Sequence, residues 1–344
     1  MVFAHSLIRT TLAFAAIAAA CVPARAADDA LIAAARREGR VVWYTTQIID
    51  QLSKPIGEAF ERAYGVKVDY VRSDANEAAR RILTESSAGH MQADVFDGVA
   101  SPALVKQNLV MDYTPESTRR LPRKYVDASG HWLATNLYVY TLGVNTDLVP
   151  KGTEPKTFAD LLAPKFRGRM AWSGRTSTSS APGFIGAALA SMGDAKGMDC
   201  LRALAKQEIA PVSVSARQLL DQTIAGEYAI ALEILNNHAA ISAAQGAPVA
   251  WAPLELNLVA LSVISATREA PHPNTAKLFL DFVMSPEGQT IYRDRAYIPV
   301  DPEIPPRDPR LRPDGVELRG YDIAPDALEA ALPKWFAIYK DIFR

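Results

Sequence analysis

Residues 41–71 read VVWYTTQIIDQLSKPIGEAFERAYGVKVDYV. Val41 to Tyr44 is a short apolar run of strand-forming side chains. Ile56, Ala59, Phe60 and Ala63 then recur at helical spacing, and Gly65 stops the helix. Val66 to Val71 alternates apolar and polar residues, the two-residue period of a strand. Strand, helix and strand in succession imply a parallel sheet with helices on its faces, an α/β class.

The same alternation continues outward. Asp28 caps a helix that runs to Gly39, with Leu31, Ile32 and Ala35 on one face. Ser73 or Asp74 caps a helix ending near Gly89, Asp94 to Phe96 is a strand, and Pro102 sits in the first turn of the next helix. Trp132 to Val144 is a long β-rich strand leaving this first unit. A second α/β set follows: strands at Arg169–Trp172, Tyr228–Leu235 and Val249–Trp251, with helices after Ser180 and from Asp194. Leu256 to Ile264 returns, and a helix from Asn274 to Met284 packs back on the first unit. Two passages between two units make hinge closure mechanically natural. The lobes expected are 27–140 with 258–344, which includes a C-terminal extension, and 141–257. Pro299 to Pro313 holds six prolines and reads as an extended surface stretch. A last helix, Pro325 to Phe343, reads as a brace.

Composition agrees with a large two-unit chain. There are 344 residues, more than the roughly 100–200 of one domain. Hydrophobic residues make up 49%, and the formal net charge of -1 offers nothing to a nucleic acid. The N-terminus reads as an export signal, residues 1–26: Arg9, an uncharged apolar run from Thr11 to Val22, then Ala24-Arg25-Ala26 as a cleavage site. The run is too short for the ~20 residues of a membrane span. Lipidation at Cys21 is the alternative processing. Cys200 is then the remaining thiol, expected as a buried structural one.

At several points the chain resembles the extracellular solute-binding proteins of ABC importers, closest to their ferric-iron-binding-like branch. The matching blocks include Glu38 to Thr46, Phe60 to Val66, Asp94-Val95-Phe96, Gly143 to Pro150, Phe158 to Leu162, Gly226-Glu227-Tyr228, Gln245 to Val249 and Ser285 to Gln289. Each is weak alone; their order is specific. The resemblance implies a two-lobed type II periplasmic-binding-protein fold that closes like a Venus flytrap, with two hinge crossovers. It also implies a small-molecule solute, a permease in the inner membrane, a periplasmic location and a monomer.

Ligands of such sheets bind at the carboxyl ends of the strands. That rule selects Thr46 and Gln47, Arg72, Asp97, then Ser173, Gly174, Arg175 and Thr176, and finally Asn237 and His238. Ser173 to Ser180 is a hydroxyl-rich turn entering a helix, suited to an anion, with Arg175 as a bidentate partner; the other reading is a capped surface loop. Arg72 either faces the cleft or pairs with Asp74 or Glu77. Ferric-binding relatives use paired tyrosines where this chain has Asn236-Asn237-His238, and a histidine near the place of Ile48. Hard Fe(III) prefers oxygen donors, so a bare ferric site is not expected. His90, His131 and His272 are expected in surface turns. No cofactor, metal or catalytic group is expected: there is no Gly-x-Ser-x-Gly elbow, no His-Glu-x-x-His and no Walker-type loop. The function expected is capture of a small anionic solute for import, with ferric iron or a ferric complex as the alternative. A secreted enzyme and a soluble sensor receptor are the competing classes.

Overall fold

The computed structural model describes residues 25–98, 102–174, 181–313 and 318–343, with backbone only for 25–28. The export segment up to residue 24, Cys21 included, lies outside the described residues.

The first set of elements is α1 (Arg25–Glu38), β1 (Arg40–Thr45), α2 (Lys54–Tyr64), β2 (Lys67–Arg72), α3 (Ala75–Ser87), β3 (Val95–Gly98) and the short α4 (Pro102–Lys106). Helix α2 ends at Gly65, whose φ of 71° is left-handed backbone that glycine adopts without a Cβ clash. Asp74 is the cap of α3, accepting from the Glu77 amide at 2.9 Å. The long β4 (Leu133–Asn145) follows. Next come β5 (Met170–Ser173), α5 (Ala181–Met192), α6 (Asp194–Ala205), β6 (Ala210–Val212), α7 (Ala216–Ile224), β7 (Ile230–Leu235), α8 (Asn236–Ala244) and β8 (Val249–Ala252). The chain ends with β9 (Asn257–Ala266), α9 (Pro273–Val283), α10 (Pro286–Asp294), β10 (Gly320–Asp322) and α11 (Pro325–Ile342).

The strand order is β2-β1-β3-β9-β4-β7-β5-β6, with β10 on β9 and β8 on β4. β1 is parallel to both β2 and β3, and β5 is parallel to both β6 and β7. β4 belongs to both halves. Leu133 to Val139 pairs antiparallel with β9, whereas from Tyr140 onward it pairs with β7 and β8. The cores divide at the same point. Val139 joins a core built on Trp43, Phe60 and Phe279, while Tyr140 joins one built on Trp172, Phe184 and Leu232. In the first core the Phe279 ring lies 5.1 Å from both Trp43 and Phe60. Two cores joined by β4 and by the β8–β9 link give the two-lobed α/β fold expected.

Four local readings are corrected. Helix α1 starts at Arg25, ahead of the cap expected at Asp28. β6 and α7 were not anticipated, although Ser215 and Gln218 form a complete capping box at the start of α7. The proline-rich stretch is a strap and not a free surface: Val300, Asp301 and Leu311 are buried, and Arg120 Nε donates to Asp301 Oδ2 at 2.6 Å. Helix α11 docks on the second core, although it was grouped with the first lobe. The Trp172 ring meets Tyr339 at 5.7 Å and Phe343 at 4.6 Å, both edge-on. β10 pairs with β9 in the first sheet, so the chain makes a third passage before α11. The brace is there, but it clasps the second half of the molecule.

Candidate functional site

The carboxyl ends of β1, β2 and β3 present Thr45 to Gln47, Arg72 and Asp97. Asp97 is buried, and its carboxylate holds the turn after β1. Thr45 Oγ1 donates to Oδ2 at 2.6 Å, while the Thr46 amide and Thr46 Oγ1 donate to Oδ1 at 2.7 and 2.6 Å. Burial pushes the Asp97 carboxyl up, and these donors pull it back. Gln47 turns across to the other strands: its Nε2 donates to Tyr138 Oη on β4 at 3.0 Å and to Ser262 Oγ on β9 at 3.1 Å. The Gln47 carbonyl accepts from Arg72 Nε at 3.1 Å. Arg72 forms no ion pair with Asp74, Glu77 or any other carboxylate among the described residues.

From the second half, α8 begins directly at the end of β7 and carries Asn236, Asn237 and His238 into the interior, all three buried. Asn236 Nδ2 donates to the Leu311 carbonyl of the strap at 2.9 Å. Asn237 Nδ2 is buried without a hydrogen-bond partner. The His238 ring lies 6.2 Å from the ring of Tyr297, whose buried hydroxyl also lacks a partner. The His238 pKa falls to about 3, first by burial and then by the guanidiniums of Arg217 and Arg72. Those same two cations, with Tyr138 and Asp97, act on Tyr297. His238, Tyr297, Arg72, Arg217, Tyr138 and Asp97 therefore form one electrostatic neighbourhood, drawn from both halves. Arg217 is anchored on α7, reaching Ser242 Oγ at 3.0 Å and pairing with Asp221.

The cluster thus unites Thr46, Gln47, Arg72, Asp97 and His238 of the expected site, and Asn237 precedes His238 on α8. Ser173 and Gly174 hydrogen-bond within the second half instead: Ser173 Oγ donates to the Val214 carbonyl at 2.6 Å, and the Gly174 amide to Val212 at 2.7 Å. Gly174 N–H extends the β5–β6 ladder and is not open to an anion there. Arg175 and Thr176 lie outside the described residues. Tyr138, Ser262, Tyr297 and Arg217 were missed. The first two lie mid-strand and Tyr297 in a loop, while Arg217 sits on a helix that only its capping box announces.

Other groups are accounted for structurally. His272 is no surface residue. Its Nδ1 lies 2.8 Å from Asp94 Oδ2, and the fully buried Asp94 also accepts from the His272 and Val42 amides, both at 2.7 Å. This ties the start of α9 to β1. Cys200 is only half-buried, and burial pushes its thiol up, away from the reactive thiolate. Among the described residues, no group of three His, Cys, Asp or Glu side chains could hold a metal ion. The phenols of Tyr138, Tyr140 and Tyr297 are all pushed up by burial.

Residues 56–312 match the sequence profile of the family described as bacterial extracellular solute-binding protein. The chain belongs to this family. It is a transport family of binding proteins, and the fold found here is that of its periplasmic relatives. An uncharacterized protein of Haemophilus influenzae is 25% identical to this solute-binding protein over 336 residues, covering 90% of this chain and 93% of its own. The periplasmic binding protein AfuA from Actinobacillus pleuropneumoniae, with fructose-6-phosphate bound, superimposes at a TM-score of 0.73 with 21% identity, over 88% of this chain and 99% of that one. Iron-bound HitA from Pseudomonas aeruginosa gives the same TM-score of 0.73, 21% identity, and 88% and 99% coverage. These likenesses show that the chain has the fold of periplasmic binding proteins, among them one with a sugar phosphate bound and one with iron bound.

Proposed function

We propose that this protein is the periplasmic solute-binding component of an ABC importer. It captures a small anionic solute between its lobes, leaves it chemically unchanged and delivers it to a permease in the inner membrane. The lobes meet near residues 140/141 and 257/258, the export segment 1–26 is cleaved, and the mature chain acts as a monomer. The observation that carries the anionic reading is Arg72. Its guanidinium has a backbone carbonyl as partner and no carboxylate among the described residues, yet it acts on His238 and Tyr297 from the other elements of the cluster. Such a cation at the strand ends is matched by a carboxylate or phosphate of the solute. AfuA, with its bound sugar phosphate, supports a phosphorylated compound. Closure around the solute then shifts the population toward the form a permease recognises.

Ferric iron held with an anion is the second reading, favoured by the likeness to iron-bound HitA and opposed by the lack, among the described residues, of a group of three His, Cys, Asp or Glu side chains that could hold a metal ion. A thermal-shift screen of anions, sugars, polyamines and ferric chelates separates them, because a ligand stabilises the state it binds. Stabilisation by carboxylates or phosphates is the expected result. Stabilisation by a ferric chelate alone, with a coloured protein, supports iron; stabilisation by polyamines alone rejects an anion.

A further inference from the structure

We infer that the solute is an anion with no ammonium group, and that it presents hydroxyls or other neutral polar groups to Asn237, His238 and Tyr297. This rests on the anionic reading above and narrows it. The described strand ends and the residues that follow them, 45–47, 72–74, 97–98, 173–174 and 236–238, contain two acidic residues, Asp74 and Asp97. Asp74 caps α3 through the Glu77 amide. Asp97 carries three hydrogen bonds from Thr45 and Thr46. Two more carboxyls stand nearby on the second half. Asp221 is paired with Arg217, and Glu233 on β7 is buried, where desolvation pushes its carboxyl up toward the protonated form. Among these described residues, therefore, each ionised carboxylate already has its own donors or cation. The cations Arg72 and Arg217 lie in the same neighbourhood and repel an ammonium group.

The remaining polar groups are neutral. His238, with its pKa near 3, carries no charge at neutral pH. Asn237 Nδ2 and Tyr297 Oη are buried without partners, which costs free energy until an acceptor or hydroxyl reaches them. A hydroxyl can both donate and accept, so it suits an amide, a phenol and a neutral imidazole together. Hydroxycarboxylates and polyhydroxylated phosphates have this chemistry; amino acids and polyamines do not.

Calorimetric titration of matched pairs tests the inference: malate against aspartate, 2-hydroxyglutarate against glutamate, and glucose 6-phosphate against glucosamine 6-phosphate. Where a pair binds, the hydroxyl member should bind at least about tenfold more tightly than its amino twin. Asn237→Asp, which adds a carboxylate, should shrink that ratio, and its melting curve reports whether it is folded. An amino member that binds the wild type as tightly as its hydroxyl twin overturns the inference and leaves the anionic reading standing. Binding of neutral sugars or polyamines, with no anion in either experiment, overturns both.

Discussion

Arg72, His238 and Glu233 show how single groups set the behaviour of this protein. Arg72 is exposed and charged, and its carbonyl partner leaves the charge uncompensated. Arg72→Ala should weaken binding of the anion found by thermal shift by at least about tenfold, or about 1.4 kcal/mol, without changing the melting temperature of the free protein. Titration calorimetry on both proteins measures it. His238 binds its proton far more weakly when folded than the usual 6.5 of an unfolded chain. The unfolded state takes up that proton first, so stability falls as pH drops from about 6.5 toward about 3. His238→Gln should flatten this acid-side loss in urea melts. Glu233 has the opposite sign. It sits on β7 with a left-handed φ of 59°, its Oε1 unpartnered, and burial holds its carboxyl well above 4.5. The native state keeps the proton that the unfolded state releases, so stability is lost as pH rises above about 4.5 toward the folded value. Glu233→Gln mimics the neutral acid and should be more stable than wild type on the alkaline side. Of these three, the sequence made Arg72 and His238 visible through their places at strand ends. Glu233 was invisible, because its burial follows from a register shift between β4 and β7 that no local pattern records.

At the scale of elements, the β-α-β periodicity was legible because each strand and helix buries one face and repeats on its own period. What was not legible were contacts made by elements distant in sequence. Helix α11 announces itself as an apolar helix, but not which core it covers. That choice depends on Gly186 in α5, where an added Cβ would stand 2.4 Å from the ring of Trp335. Gly186→Ala should therefore push α11 off its seat and cost about 1–3 kcal/mol, read from urea unfolding. An unchanged midpoint would show that the α5–α11 packing adjusts freely. The strap behaves alike. Its prolines are visible as breakers of helix, whereas its anchoring through Arg120 and Asp301 joins residues 181 positions apart. The site was half legible for the same reason. Strand ends are found by pattern, but Tyr138, Ser262 and Tyr297 enter it through pairing and packing.

On the scale of the whole molecule, two cores share β4, and α11 clasps the second of them. In the proposed two-lobe reading, motion between the halves bends β4 near Val139 and Tyr140, the link between β8 and β9 and the link from β10 to α11, while α11 moves with the second half. On the proposal made above, a solute held by Arg72 from one side and by Asn237 and His238 from the other would join the halves without needing a reacting group. Native mass spectrometry of the protein, mixed with the anion that stabilises it most, tests this most directly. One intact solute per single chain, released with its mass unchanged, is the expected spectrum. A chain that carries no solute, or one that releases a compound of altered mass, would contradict capture without chemistry.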